Sequence, residues 1–238
     1  MRTTHDLGLG DSDQTGTRNS KGFFNELSDG TLRDFEQIRL TRTCARGAIL
    51  FSEGEEPRGV FVLFEGHAKL SVSSSEGKTL ILRLAVAGEV LGLNATISGR
   101  PYAATAKVLR PCRVNFVRGH DFLRFLNGHL DARMKAIQTL SQRYQSACAQ
   151  IRTLGLSGSA LEKLARLLLE LSAAGEETEQ GTRVELALTH EEIAQFIGTS
   201  RETVTRTLSE FRTRHLAALR GSTLLIPNKA ALEEYVAA

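Results

Sequence analysis

Two arginines and a glutamate lie close together near the C-terminal end of the chain, in the stretch SRETVTR. Arg201 and Arg206 can each donate two parallel hydrogen bonds to a planar acceptor edge such as guanine O6 and N7, and Glu202 can accept one from the cytosine N4 amine. Such contacts require the side chains to project from the N-terminal part of an exposed helix. Residue types and spacing therefore indicate the reading of base edges in DNA.

The surrounding sequence, LTHEEIAQFIGTSRETVTRTLSEF, predicts two short helices joined by a tight turn. Thr189 can cap the first helix while Glu192 reaches back to form a capping box. Gly198 permits the positive φ that turns the chain, and Thr199 or Ser200 caps the second helix, whose apolar stripe is Val204, Leu208 and Phe211. This is a helix-turn-helix layout. The predicted DNA contacts are Thr189, Ser200, Arg201, Glu202, Thr205, Arg206, Arg220 and Ser222.

The segment that follows, HLAALRGSTLLI, predicts two short strands turning at Arg220-Gly221-Ser222, which together form a wing. Arg220 and Ser222 could contact phosphate there. The whole chain carries a net charge of only +3, but residues 197–229 hold six basic residues against two acidic ones, a local balance of +4. The charge that a nucleic acid needs is therefore concentrated in this segment.

The composition is that of a globular protein with room for two modules in 238 residues. No apolar run approaches the roughly 18 to 20 residues of a membrane span. Residues 1–20 predict a polar tail without the apolar core of a secretion signal, which favours a cytoplasmic protein. The three widely spaced cysteines, Cys44, Cys112 and Cys148, indicate neither a disulfide framework nor a metal cluster, and no metal-ligand or catalytic arrangement is recognised, so we expect no enzyme.

Upstream of the helix-turn-helix, two different patterns predict two further parts. From Leu40 to Phe116, short apolar or alternating stretches separated by glycine turns predict an antiparallel β roll, preceded by two short helices broken at Asp29-Gly30. A long helix then carries a heptad stripe. Its members are Leu130, Met134, Ile137, Ser141, Tyr144, Cys148 and Ile151. We expect this stripe to pair with a second copy of the chain; the alternative is packing on the chain's own roll.

These patterns give a domain prediction: a tail at 1–20, a roll domain at 21–128, a dimerisation helix at 129–155 and a DNA-binding domain at 156–238, with a hinge near 156–159. Within the last domain, VELAL predicts a strand, and the acidic stretch AAGEETEQGT before it predicts an irregular loop.

The order of these parts resembles the CRP/FNR family of bacterial transcription regulators, and GTSRETVTRTL is similar to that family's recognition helix. The resemblance implies an α+β chain with a cyclic-nucleotide-binding-like β roll (a double-stranded jelly roll), a dimerisation helix and a winged helix-turn-helix. It also implies a homodimer on inverted repeats, TGTGA-like half-sites read by Arg201, Glu202 and Arg206, and contact with RNA polymerase.

The resemblance is weaker at the family's effector pocket, which would fall on Gly92, Leu93, Asn94, Arg100, Tyr102, Ala103, Ala104, Tyr144 and Cys148. Leu93 replaces the family's glutamate, and Tyr102-Ala103 or Ala103-Ala104 replaces its Arg-Ser pair. A buried phosphate without an arginine partner is costly, so cyclic AMP bound in the family manner is disfavoured. Haem on His67, His120 or His129 is an open alternative, and the effector stays unknown.

A second function class is a ligand-binding regulatory module whose C-terminal domain contacts other proteins rather than DNA. The sequence disfavours this class because no catalytic or membrane segment accompanies the roll, which also lacks the phosphate-binding arginine. Salt dependence separates the two classes, since DNA affinity must fall steeply as salt rises.

Overall fold

The structure is a computed structural model that describes residues 22–156, 158–173, 175–185 and 188–237. The predicted tail at 1–20 lies outside these ranges, as does Ser157 of the predicted hinge. The described chain forms an N-terminal antiparallel roll, one long helix and a C-terminal domain of helices around a small sheet. None of the described helices is both long enough and apolar enough to cross a membrane.

The roll is built from strands that pair only in the antiparallel sense. They are β1 (Leu40–Cys44), β2 (Ile49–Phe51), β3 (Gly59–Ser73), β4 (Thr79–Ala85), β5 (Val90–Leu91) and β6 (Thr105–Arg118). The order is β1-β6-β3-β4, with β2 also on β6 and β5 also on β3. The pairing of β3 with β6 shifts register between Leu63 and Ala68, and such irregularities bend long strands so that the sheet can curl.

Gly66 lies at this bend and is required there. Its φ is 86°, and a Cβ atom at this position would lie 2.7 Å from both the Pro111 carbonyl oxygen and the Cys112 Cβ. No other residue fits this conformation and this close approach without strain. The roll interior beside it is apolar and includes the buried residues Phe51, Leu63, Ala68, Leu91, Val108 and Val114.

The prediction of two short helices broken at Asp29-Gly30 is wrong. These two residues begin a single helix, α1 (Asp29–Ile38), and residues 23–26 form a turn before it. The Ser28 hydroxyl accepts a hydrogen bond from the Thr31 N–H at 3.1 Å and so caps the helix. A serine cap followed by an acidic first residue stabilises a helix start, which outweighs the turn preference of Asp-Gly.

Three helices complete the N-terminal half: α2 (Leu93–Ser98), α3 (Gly119–Gly128) and α4 (Leu130–Leu156). The start of α4 is tied to the start of α1 through Asp131. Its carboxylate accepts hydrogen bonds from the Ser28 N–H at 2.9 Å, the Thr31 hydroxyl at 2.8 Å and the Ala132 N–H at 2.9 Å. Led by the Ser28 hydrogen bond, these contacts hold the pKa of Asp131 below its ordinary value.

We expect Asp131→Asn to lower the free energy of unfolding near pH 7 by about 1 kcal/mol, because a partly exposed charged acceptor is lost. The folded-state pKa lies below the ordinary 3.8, so the stabilisation is present above that pH and is lost as the pH falls through the folded-state pKa. Denaturant unfolding near pH 7 and near pH 3 checks this, with the exposed Glu76→Gln as control. An equal loss at both pH values would contradict it.

The C-terminal domain combines four helices and four strands around one core. Its elements are α5 (Ala160–Ser172), β7 (Glu176–Thr178), β8 (Gly181–Glu185), α6 (His190–Ile197), α7 (Arg201–Thr213), β9 (Ala218–Arg220), β10 (Thr223–Ile226) and α8 (Lys229–Ala237). The strands form one antiparallel sheet in the order β7-β8-β10-β9. The core includes Leu164, Leu168, Ile193, Val204, Phe211, Leu224 and Leu232.

The acidic stretch predicted as an irregular loop contains β7, so that prediction is wrong. Residues 176–178 pair with β8 across a turn that ends at Gly181, whose φ is 110°. All three β7 residues are exposed, so this edge strand carries no apolar alternation by which the sequence could have revealed it.

The C-terminal domain packs directly on the roll of the same chain. Lys69 of β3 forms a salt bridge of 2.9 Å with Glu192 of α6, and both side chains are largely buried. Burial acts to raise the pKa of Glu192, but the hydrogen bonds from Thr189 and Lys69 outweigh it and the pKa is lowered. Leu109 of the roll belongs to the C-terminal core cluster. The two domains are therefore joined by both a salt bridge and apolar contacts.

Candidate nucleic-acid interface and effector cavity

The ends of the two helices α6 and α7 are defined by caps, and buried side chains hold the helices against each other. The Thr189 hydroxyl accepts from the Glu192 N–H at 3.2 Å while the Glu192 carboxylate accepts from the Thr189 N–H at 3.0 Å, a complete capping box. Gly198 ends α6 at φ 66°, and the Ser200 hydroxyl caps α7. Ile193, Ile197, Val204, Leu208 and Phe211 are buried between the helices and the domain core. This is a helix-turn-helix.

The outer face of α7 is exposed and carries the predicted base-reading residues. Arg201, Glu202, Thr205 and Arg206 are all exposed, and neither arginine forms a salt bridge with any acidic residue that the structure describes. The Glu202 backbone N–H, the Ser200 hydroxyl and the Arg201 charge lower the pKa of Glu202. At neutral pH this face therefore offers two guanidinium donors and a carboxylate acceptor.

Thr205 links this face to the first helix of the pair. Its hydroxyl donates to the Arg201 carbonyl at 3.0 Å and lies 2.9 Å from His190 Nδ1 at the start of α6. The predicted contacts Thr189 and Ser200 are both cap residues, with their hydroxyls engaged by the backbone. Each hydroxyl satisfies one first-turn N–H, that of Glu192 or of Thr203, and the start of a helix is a favourable place for a phosphate.

The predicted wing is present as the hairpin of β9 and β10. Gly221 has a φ of 60°, and Arg220 and Ser222 on either side of it are exposed. Arg214 is engaged within the protein, at 2.8 Å from Glu210 and 2.6 Å from the Tyr235 hydroxyl. Lys229 is likewise engaged, by Glu177 at 2.6 Å. Among the described residues of this face, the cations without a salt bridge are Arg201, Arg206, Arg212 and Arg220.

Helix α4, whose 27 residues span about 40 Å, has two different faces. One face packs on the roll domain through the buried Ala132 and Ala136. The opposite face carries the heptad stripe, and its large members are exposed in the protomer, with Leu130 68%, Tyr144 72% and Ile151 70% exposed. All seven stripe positions are exposed: Leu130, Met134, Ile137, Ser141, Tyr144, Cys148 and Ile151. The stripe therefore does not pack on the chain's own roll.

A cavity of about 570 Å³ lies between the roll, α4 and the C-terminal domain. Of the residues predicted for the effector pocket, Gly92, Leu93, Asn94, Tyr102, Ala103 and Ala104 line it. Arg100 does not, because it is exposed beyond the end of α2. Tyr144 and Cys148 do not either, because they project from the stripe face of α4, where they line a second cavity of about 510 Å³.

Tyr102 occupies the place where the sequence lacks the family's arginine and serine. Its ring stacks on Phe51 with centroids 4.1 Å apart, and its hydroxyl donates to the Gly59 carbonyl at 2.7 Å. Burial raises the pKa of this hydroxyl, so it stays neutral. The ring also packs close to Gly92, where a Cβ would lie 2.9 Å from it. No described residue of this loop brings a positive charge into the cavity.

Two arginines that the sequence patterns did not single out also reach the cavity. Arg83 on β4 and Arg143 on α4 both line it, and both contact the carboxylate of Glu89. Arg143 also donates to the Val90 carbonyl. Burial and the nearby Arg83 charge lower the pKa of Arg143 to about 10, so it remains protonated at neutral pH. Arg83 and Arg143 are 60 positions apart in the sequence, so no short motif could have indicated that they lie close together.

The C-terminal domain supplies the remaining wall of the cavity. Lys163, Arg166, Leu167 and Glu170 project from α5, and Phe196 and Ile197 project from α6. Because α6 is the first helix of the helix-turn-helix, the cavity adjoins both the roll and the predicted DNA-reading unit. Sequence reasoning missed this wall because the approach of the two domains is a tertiary property.

The three histidines considered as haem ligands lie apart from this cavity's lining. His67 lies on β3, His120 is close to Asp121 at 3.2 Å, and His129 is close to Asp34 at 3.2 Å. Within the described ranges no three His, Cys, Asp or Glu residues gather in a way that could hold a metal ion.

Comparison with known proteins agrees with this architecture. Residues 41–129 match the model of the cyclic nucleotide-binding domain, and residues 162–235 match that of the Crp-like helix-turn-helix domain. The chain belongs to the CRP/FNR family of transcription regulators. It is 26% identical over 178 residues to the cAMP-activated global transcriptional regulator CRP of Pasteurella multocida, covering 74% of this chain and 85% of that one.

Other members of the family are similarly related. The global nitrogen regulator of Synechocystis is 26% identical over 199 residues, which cover 82% of this chain and 88% of that protein. The structure of FixK2 from Bradyrhizobium japonicum is 20% identical, covers 84% of this chain and 98% of its own, and superposes with a TM-score of 0.76. As a CRP/FNR regulator, the chain is a DNA-binding transcription regulator.

Proposed function

We propose that this protein is a homodimeric, cytoplasmic transcription regulator that reads TGTGA-like inverted repeats and responds to an effector other than cyclic AMP. Arg201 and Arg206 would contact guanines and Glu202 a cytosine in each half-site, while Arg220 and Ser222 of the wing would contact phosphate. Contact with RNA polymerase would then convert DNA binding into regulation.

The observation that carries the proposal is the exposed face of α7. Arg201 and Arg206 are free of salt bridges within the described chain, they flank an ionised Glu202, and the cap of Ser200 fixes their helix. Arginines that only solubilise a helix commonly pair with acids one turn away, as Arg214 does with Glu210. Two guanidinium donors without a salt bridge, beside an ionised carboxylate on the same helix face, fit a partner that offers base edges.

The homodimer is supported by the exposed stripe of α4. A continuous row that includes Met134, Ile137 and Tyr144 on one face of a long helix exposes apolar surface to water unless a second helix covers it. A two-fold axis along this seam would place two copies of α7 about one DNA turn, roughly 34 Å, apart. The expected operator is therefore an inverted repeat.

An effector other than cyclic AMP is supported by the cavity. Tyr102 fills the loop position with a neutral ring, Arg100 is exposed, and Leu93 is fully buried in an apolar cluster. A cyclic phosphate held at this loop would have no guanidinium partner, which leaves a desolvated charge unpaired. The cavity nonetheless has the volume of a small-molecule site, about 570 Å³.

Selection of bound sequences from a pool of random DNA duplexes tests the proposal. We expect enrichment of an inverted repeat with TGTGA-like half-sites whose centres lie about 10 to 11 base pairs apart. A single unrepeated site would contradict the homodimeric reading. Enrichment of no sequence at all would favour a C-terminal domain that contacts proteins instead.

A further inference from the structure

The charges around the cavity are unevenly distributed. Four cationic side chains line it against the single carboxylate of Glu170: Arg83, Arg143, Lys163 and Arg166. On the C-terminal side the charges balance in number: Glu162 pairs with Arg166 at 3.3 Å, the Arg166 charge also acts on Glu170, and Lys163 donates to the Leu154 carbonyl at 2.9 Å. The excess positive charge therefore lies on the roll side.

On the roll side, two guanidinium groups share one carboxylate. Glu89 contacts Arg83 closely through Nη1 and lies 3.6 Å from Arg143 Nη2. The other terminal nitrogen of Arg83, Nη2, is buried and has no hydrogen-bond partner among the described residues. Glu89 supplies one negative charge to two guanidinium groups that line the cavity, so this pair keeps a positive charge that a further anionic group can neutralise.

The rest of the cavity wall is mostly apolar. It includes Phe51, Leu80, Leu82, Leu154, Phe196 and Ile197. An apolar wall of this extent favours the burial of hydrocarbon, at about 25 cal/mol for each Å² removed from water. A highly polar ligand would leave many of its groups unpaired against it.

We propose that this cavity binds an apolar molecule with a single anionic head, of the aliphatic or arylalkyl carboxylate class. The carboxylate is held by Arg83 and Arg143, and the hydrocarbon lies against the leucines of β4 and the side chain of Phe196. The role of this ligand as the effector rests on the proposed function. The binding of the ligand to the cavity does not, because it requires no DNA. Because Phe196 and Ile197 belong to α6, an occupied cavity would bias the position of the helix-turn-helix.

Isothermal titration of the full chain with three eight-carbon probes tests the proposal: octanoate, 1-octanol and octylammonium. The probes share one hydrocarbon and differ in head charge. We expect octanoate to bind at least tenfold more tightly than the other two, as one charge-assisted contact allows. Equal affinity for all three, preference for octylammonium, or no binding of octanoate would overturn the proposal.

Two variants locate the head group. Arg83→Gln and Arg143→Gln should each weaken octanoate binding about tenfold and leave octanol binding unchanged, which also reports an intact cavity. Arg124→Gln is the matched control, since this exposed arginine pairs with Asp121 on α3, away from the cavity lining. Unchanged octanoate affinity in both cavity variants would contradict the assignment. If the wild-type protein binds operator but not octanoate, only this inference is contradicted. If it binds octanoate but not DNA, only the proposed function is contradicted.

Discussion

Arg206→Ala and Arg201→Ala are each expected to weaken binding to the selected operator by about 2 to 6 kcal/mol. A bidentate arginine–guanine pair contributes about 1 to 3 kcal/mol of discrimination, and a homodimer loses one such pair in each half-site. Because neither arginine forms a salt bridge in the described protein, folding stability should not change. Competition binding against operators with single base changes measures both the affinity and the lost base preference.

Arg212→Ala is the matched control for these variants. Arg212 is exposed on the same helix, nearer its C-terminal end, and it too lacks a salt bridge within the described residues. A cation that meets only phosphate should weaken binding to all sequences alike and leave the base preference intact. If Arg201→Ala and Arg206→Ala retain the wild-type preference, α7 is not the base-reading helix.

Ile137→Asp is expected to convert the proposed dimer into monomers and to lower operator affinity by about 10²-fold or more. Ile137 is 55% exposed in the protomer, so the substitution leaves the protomer core untouched, yet it places two carboxylates against each other at the centre of the predicted seam. Two linked DNA-binding domains gain about 10² to 10⁴ in affinity from their connection, and monomers lose that gain.

Sedimentation velocity and operator binding, measured on the same preparations, check this prediction. Gln142→Asp is the control, because Gln142 is exposed on α4 outside the stripe. It should leave the protein dimeric and its affinity unchanged. A monomeric wild type, or an Ile137→Asp variant that remains dimeric, would show that the stripe serves another purpose.

The sequence predicted the local features of the helix-turn-helix well because they depend on neighbouring residues. The capping box of Thr189 with Glu192 and the positive φ of Gly198 are both present. The residues that determine each feature lie within three or four positions of one another, so their types and spacing can be recognised directly in the sequence. The alternation of apolar and polar residues along the strands of the roll can be recognised in the same way.

Features that depend on distant contacts could not be predicted in this way. The arginines Arg83 and Arg143 meet around Glu89 only because β4 and α4 pack together, and Phe196 joins their cavity only because two domains adjoin. The helix break expected at Asp29-Gly30 failed because Ser28 caps the helix just before it. The turn preference of Asp29 and Gly30 is weaker than the helix cap at Ser28, which Asp131 of α4 stabilises by accepting hydrogen bonds from the Ser28 N–H and the Thr31 hydroxyl.

The junction between the domains links the cavity to DNA reading. Glu192 belongs at once to the capping box of α6 and to the salt bridge with Lys69 of the roll. A shift of α6 away from the roll would break that salt bridge and change the lining of the cavity, so the two events are coupled. Regulation would then require only that the ligand bind more tightly to one arrangement of the domains than to the other.

The central claim, that the protein acts by binding DNA through a basic helix and wing, is tested most directly by the salt dependence of wild-type affinity for the selected operator. Each phosphate neutralised by Lys or Arg contributes about −0.9 to the slope of log affinity against log salt. Arg212 and Arg220 in each of two protomers should give a slope of about −3 to −4 from these contacts alone. A flat response between low and physiological salt would contradict the claim.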